Sequence, residues 1–274
     1  MSRLPVFRHP FLYYKSKWLE HRCKYAKVPA GQAVKEIRGV KYLFDLSLGK
    51  MVKRRYCESY EIEVIRIMKK YLKEGGVFIE VGANIGYISA IGAGLVGKTG
   101  QVHSFEPVPA YFKYLQTTSE MNQEFKIVAN NFALGEKAGQ YQIATSAGNI
   151  GGHSIIPGFV AEEDKQQTLS IRLQRLDQYI KNQKLSNIML IKIDTEGFEL
   201  PVLLGASGFL DEHRGNLPPI IAEITPDAFV LMKRDIRELD EFMSDYGYKA
   251  YAICGRHQID IKKLTRQTEV LFKL

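Results

Sequence analysis

Cysteine is scarce in this chain of 274 residues. There are three, and Cys23, Cys57 and Cys254 stand too far apart to suggest a thiolate metal site or a disulfide framework. A reducing compartment is therefore expected. Long apolar runs are also missing: nowhere do eighteen apolar residues follow one another without a charge, and the opening MSRLPVFRHPFLYYKSKW has no uninterrupted apolar stretch. The pattern predicts a cytoplasmic chain, neither secreted nor membrane-spanning. With 23 glycines and 10 prolines the sequence is neither low-complexity nor collagenous, and it has no internal repeat. What is present is ordinary globular composition, 45% hydrophobic and 25% charged, at a length that can bury a large core.

Charge is spread unevenly. Residues 1–60 hold fourteen Lys and Arg against Glu20, Glu36, Asp45 and Glu58, a net +10, so the overall +8 leaves −2 for the remaining 214 residues. Phe7, Phe11, Tyr13, Tyr14, Trp18 and Tyr25 are interleaved with those charges. Such a segment suits contact with an anionic partner: the inner face of a membrane, a phosphate-bearing acceptor or, least favoured, nucleic acid. The alternative is a helical cap over a ligand cleft with a solvated basic face. Residues 1–60 are read as a basic front segment, and 61–274 as the main domain.

From about residue 60 two periodicities alternate. Ile62, Ile65, Ile67, Met68 and Tyr71 recur at helical spacing, Glu74-Gly75-Gly76 stops that helix, and the apolar run Val77 to Val81 follows as a buried strand. A small-residue stretch, Tyr87 to Ala93, leads to a strand at 101–105. Pro107 and Pro109 open a helix over 110–121, and 126–129 reads as a third strand. Further strands are expected at 140–144, 168–173, 188–193 and 220–224, with helices at 176–181 and after Glu199. The end of the chain adds a helix over 234–246 and strands at 248–253 and 269–272. Strands alternating with helices predict an α/β fold: a mostly parallel sheet covered by helices on both faces, with an antiparallel edge.

Chemistry concentrates at three strand ends. Glu80-Val81-Gly82-Ala83-Asn84-Ile85-Gly86 turns a strand into a helix, and its glycines let backbone approach a ligand. It lacks the middle glycine of the dinucleotide fingerprint, and Glu80 would repel a pyrophosphate while attracting a cationic amino group. Glu106 ends the next strand, where a carboxylate can accept hydrogen bonds from both hydroxyls of a ribose. Together the two sites point to S-adenosylmethionine, which has an ammonium and a ribose but no phosphate. Asp194-Thr195-Glu196-Gly197-Phe198-Glu199 closes the most apolar strand. Three carboxylates there repel one another and should have perturbed pKa values; the structural alternative is helix capping by Asp194 or Thr195 with Glu196 and Glu199 in the first turn. Asp194 is the leading candidate to face donor and acceptor, and to hold Mg²⁺ if a metal is used. Glu196, Glu223 and His153 are the other candidate bases. His153 sits in a Gly-rich, polar stretch, 146–165, that is expected to close over the acceptor.

Four blocks, Phe78 to Tyr87, Phe105-Glu106-Pro107, Asn131 to Gly135 and Lys192 to Glu199, resemble the FkbM-type methyltransferases in composition and order. Gly205-Ala206 and Glu223 follow as they do in that family, and the likeness spans roughly residues 70–225. It implies a class I, Rossmann-like methyltransferase domain using S-adenosylmethionine, often with a sugar hydroxyl of a glycan or glycosylated metabolite as acceptor. Carried over residue by residue, the resemblance implies that Glu80, Gly82, Asn84 and Gly86 line the methionine end. It likewise implies Glu106 for the ribose and Asn131 with Ala133 for the adenine. Many members have Asp where this chain has Glu80. Competing expectations are an RNA or protein methyltransferase, in view of the basic front segment, and a non-catalytic nucleotide-binding module.

Overall fold

The computed structural model describes residues 18, 19, 21–253 and 257–274. In chain order a hairpin of β1 (Gln32–Ile37) and β2 (Val40–Asp45) comes first. It turns on Arg38 and Gly39, both left-handed, as a two-residue hairpin turn requires. Two helices follow, α1 (Lys50–Tyr56) and α2 (Ile62–Tyr71). Then strands and helices alternate: β3 (Val77–Val81), α3 (Tyr87–Val96), β4 (Gln101–Phe105), α4 (Pro109–Glu120) and β5 (Lys126–Asn130). After β6 (Ala133–Leu134), β7 (Gly139–Ser146) and β8 (Lys165–Gln174) come α5 (Leu176–Asn182), β9 (Ile188–Ile193), α6 (Glu199–Leu204) and α7 (Ser207–Glu212). The chain ends with β10 (Ile220–Ile224), α8 (Pro226–Leu231), α9 (Ile236–Asp245), β11 (Lys249–Ala252) and β12 (Thr268–Lys273).

Seven strands form one sheet in the order β11-β12-β10-β9-β3-β4-β5. β12 runs antiparallel to both its neighbours and the remaining pairings are parallel, so the antiparallel edge is where the sequence placed it. The strands expected at 140–144 and 168–173 do exist, but as β7 and β8 they pair with each other, and β8 also with β6, in a separate small sheet. Periodicity reports an extended strand without naming its partner.

Period-two alternation in the buried strands sends residues to opposite faces of the sheet. Val77, Ile79 and Val81 pack with Phe105, Tyr179 and Phe209, whereas Phe78 packs on the other face with Tyr42, Phe44 and Ile91. Leu190, Ile221 and Leu271 share that second face. By the same alternation Glu80, Lys192, Glu223 and Glu269 point to it as well, each two residues from one of these apolar neighbours.

The second face is covered by α2 and α3, and the hairpin of the front segment packs over α3. Val40, Tyr42, Phe44 and Val52 are fully buried there, so this part of the front segment packs into the second hydrophobic cluster. The Tyr42 hydroxyl donates to the Ile85 carbonyl at 2.9 Å, bracing the glycine turn. Of the aromatic residues expected to touch an anionic surface, Trp18 and Tyr25 are exposed, with Arg22 stacked 4.7 Å from the Trp18 ring. Phe7, Phe11, Tyr13 and Tyr14 lie outside the described residues, as does Cys254, while Cys23 and Cys57 are free thiols. Among the described residues no helix is long and apolar enough to cross a membrane.

Candidate active site

A cavity of about 470 Å³ lies at the carboxyl ends of β3, β4, β9 and β10. Gly82 opens it. Its φ is +85°, and a Cβ built there would sit 1.7 Å from the Asp194 carbonyl oxygen, so no other residue fits between the ends of β3 and β9. Asn84 is also left-handed, at φ +52°, and its backbone N–H donates to Glu106 Oε2 at 2.9 Å. The Val108 N–H donates to Glu106 Oε1 at 2.8 Å. Glu106 thereby ties the glycine turn to the end of β4. Burial pushes its carboxyl up to about 7, against the pull of those two N–H groups. Each carboxyl oxygen keeps a second lone pair for a ligand hydroxyl. Ala133 lines the cavity beside Val108 and Ile143. Asn131 does not: its amide donates to the Glu106 and Pro107 carbonyls from an exposed position, bracing the turn from outside.

The other end of the cavity is acidic. Glu80, 1% exposed, accepts hydrogen bonds from the Ser89 and Ser104 hydroxyls, and burial pushes its carboxyl up to about 8 although Lys192 opposes this. Lys192 Nζ lies 2.6 Å from Asp194 Oδ2 and 3.7 Å from Glu61 Oε2. Burial works to lower the Lys192 pKa, but Asp194, Glu61 and Glu80 hold it well above the usual lysine value. Burial works to raise Asp194, yet the Lys192 ammonium holds its carboxyl below the usual range. Burial and the Asp194 charge push Glu196 up to about 8, and the same causes push Glu223 up to about 10. Glu269, opposite Glu223 across the β10–β12 pair, is pushed up to about 8 by burial and Glu61.

One carboxylate oxygen each from Asp194, Glu196 and Glu223 lies within 4.8 Å of the others, a donor set that suits a hard divalent cation. At neutral pH, however, Glu196 and Glu223 hold protons that such a cation would have to displace, and Lys192 already stands against Asp194.

The other predicted residues have different settings. His153 is buried, stacked on the Tyr111 ring at 4.8 Å, and accepts the Ser146 N–H at Nδ1. Burial lowers its pKa to about 4, so the ring is neutral. Its Gly-rich stretch is fastened: Ser154 and Ala144 exchange backbone hydrogen bonds, and Ser154 Oγ donates to the Glu196 carbonyl at 2.8 Å. Glu199 is buried and its Oε1 accepts from the Thr195 N–H, the Thr195 hydroxyl and the Gly197 N–H, so it holds the turn instead of facing the cavity. Neither Asp194 nor Thr195 caps α6, whose N-cap is Phe198. Sequence reasoning missed Arg55, Tyr60, Glu61, Lys192 and Glu269, all of which line the cavity. For Lys192 there was a signal: one charge inside Ile-Met-Leu-Ile-Lys-Ile is a buried charge that needs a partner.

A parallel sheet with one antiparallel strand near its edge, helices on both faces and a cavity at its carboxyl ends is the class I, Rossmann-like methyltransferase fold. Residues 80–250 match the methyltransferase FkbM domain, and the chain belongs to that family. Among solved structures, the methyltransferase FkbM from Methylobacillus flagellatus KT is similar at 16% identity and a TM-score of 0.46, over 81% of this chain and 54% of that one. The chain thus spans about half the length of that protein. Aeropyrum pernix fibrillarin in complex with natively bound S-adenosyl-L-methionine is similar at 9% identity and a TM-score of 0.42, over 92% of this chain and 86% of that one. M. jannaschii TYW2 in complex with AdoMet is similar at 13% identity and a TM-score of 0.39, over 90% of this chain and 86% of that one. No curated protein matches the chain.

Proposed function

We propose that this protein moves a methyl group from S-adenosylmethionine to an acceptor hydroxyl, the acceptor being a sugar of a glycan or glycosylated metabolite. One observation carries the reading: a single cavity joins Glu106, buried and held by two backbone N–H groups, to a cluster of carboxyls around one lysine. The donor offers ribose hydroxyls to the first and, to the second, an ammonium whose approach favours ionisation of the carboxyls there. In this assignment Glu106 takes the ribose, Ala133 with Val108 and Ile143 the adenine, and Gly82 and Asn84 with Glu80 the methionine end; Gly86, packed against Leu115, completes the turn from outside the cavity.

When bound, the donor supplies a methyl group on a sulfonium leaving group. The protein's own task is to align the acceptor oxygen, exclude water and receive the proton. Asp194, held ionised by Lys192, is assigned as the base. A low-pKa carboxylate suffices, because an alcohol oxygen becomes strongly acidic once it begins to bond to the methyl carbon. Glu196 and Glu223, protonated at neutral pH, donate hydrogen bonds to neighbouring hydroxyls of the acceptor. The +10 front segment supports an acceptor that bears phosphate or sits on an anionic membrane surface.

The test combines donor binding by calorimetry with mass spectrometry of glycans and metabolites incubated with the protein and donor. Glu106→Gln should weaken donor binding by about 1–3 kcal/mol, and the wild type should add one CH₂ to a sugar product. Donor binding without any methylated sugar removes the acceptor class, whereas absence of donor binding removes the whole reading.

A further inference from the structure

We propose that Arg55 holds the α-carboxylate of the donor's amino-acid end, so that the front segment, outside the residues matching the family, completes the donor site. The proposal rests on the S-adenosylmethionine reading above. Arg55 lies on α1, lines the cavity and is 5% exposed. Nη1 donates to Asn84 Oδ1 at 3.1 Å, which sets the guanidinium against the glycine turn, and its carbon lies 4.6 Å from the centre of the Tyr60 ring. The buried Nε has no hydrogen-bond partner. None of the ion pairs among the described residues includes Arg55: Glu61 favours its charge through space but is paired with Lys192. A buried guanidinium whose protein contacts are an amide oxygen and a tyrosine side chain still needs an anion.

The donor has such an anion. Its ammonium and carboxylate sit on one carbon, so a site whose acidic groups draw in the ammonium repels the carboxylate unless a cation stands beside it. Lys192 is enclosed by Asp194 and Glu61, and Arg54 sends Nη2 to the Ser59 carbonyl. Arg55 has donor capacity left, and its planar fork matches a carboxylate with two parallel hydrogen bonds.

Calorimetry with three ligands tests this: S-adenosylmethionine, its decarboxylated form and 5′-methylthioadenosine. The wild type should bind S-adenosylmethionine about 10- to 100-fold more tightly than the decarboxylated form. Arg55→Gln should erase that preference while leaving 5′-methylthioadenosine affinity within about twofold, and Arg55→Lys should restore part of it. A wild type that binds both amino-acid-end variants equally overturns the proposal without any variant being needed. So does an Arg55→Gln protein that weakens all three ligands alike or keeps the preference. If the wild type binds none of the three, the donor reading itself has failed, a different result from lost discrimination.

Discussion

Replacing Glu80 by Gln tests the electrostatics of the acidic end directly. Gln keeps the volume, and its carbonyl can still accept from the Ser89 and Ser104 hydroxyls. What disappears is the titration. Burial raises the Glu80 pKa from 4.5 to about 8, so folding favours the protonated form. The stabilisation from that proton is fully present below about pH 4.5 and is lost as pH rises through about 8. Between pH 5 and pH 8 the wild type should therefore lose about 3 kcal/mol relative to Glu80→Gln. In a chain of this size that corresponds to about 5–10 °C in Tm. The comparison cancels Glu196, Glu223 and Glu269, which titrate in both proteins. Thermal unfolding of the donor-free proteins at half-unit pH intervals is the assay. If the gap between the two curves does not change with pH, Glu80 is ionised in the fold at neutrality, and burial does not outweigh Lys192 in setting its charge.

Two other substitutions probe the same strand ends. Gly82→Ala combines a φ of +85° with a Cβ driven onto the Asp194 carbonyl, so it should destabilise by more than about 3 kcal/mol in urea unfolding and abolish donor binding; near-wild-type stability would refute the close approach of β3 and β9. Lys192→Met strips Asp194 and Glu61 of their cation and should cost about 3–5 kcal/mol at pH 8. The loss should shrink by pH 5, where protons replace the missing ammonium, and a pH-independent loss would point to packing instead.

Much of the fold was legible because the buried strands announce themselves: Val77 to Val81 and Ile188 to Ile193 are nearly continuous apolar runs, as strands covered on both faces must be. The hairpin is harder to read from sequence: Val40, Tyr42 and Phe44 alternate with Lys41, but apolar Leu43 breaks the pattern and the dense positive charge around it fits a surface arm equally well. Glu106, Gly82 and Asp194 were found from their places at strand ends, and the cavity does bring them together. Asn131 was carried over from resemblance, yet its amide faces the turn it braces.

Sequence by itself determined which residue types stand at the strand ends, carboxyls and glycines without the middle glycine of the dinucleotide fingerprint. Strand register and the packing of the front segment decided the rest. Parity along β3, β9, β10 and β12 turns Glu80, Lys192, Glu223 and Glu269 to one face of the sheet, and the helices laid over that face deliver Arg55 and Glu61 to the same cavity. Those residues are up to about 214 positions apart, between Arg55 and Glu269, and their pKa values are set by distances of a few ångströms. Local pattern carries no information about distances across the sheet, so the charge balance of the site exists only once the chain has folded.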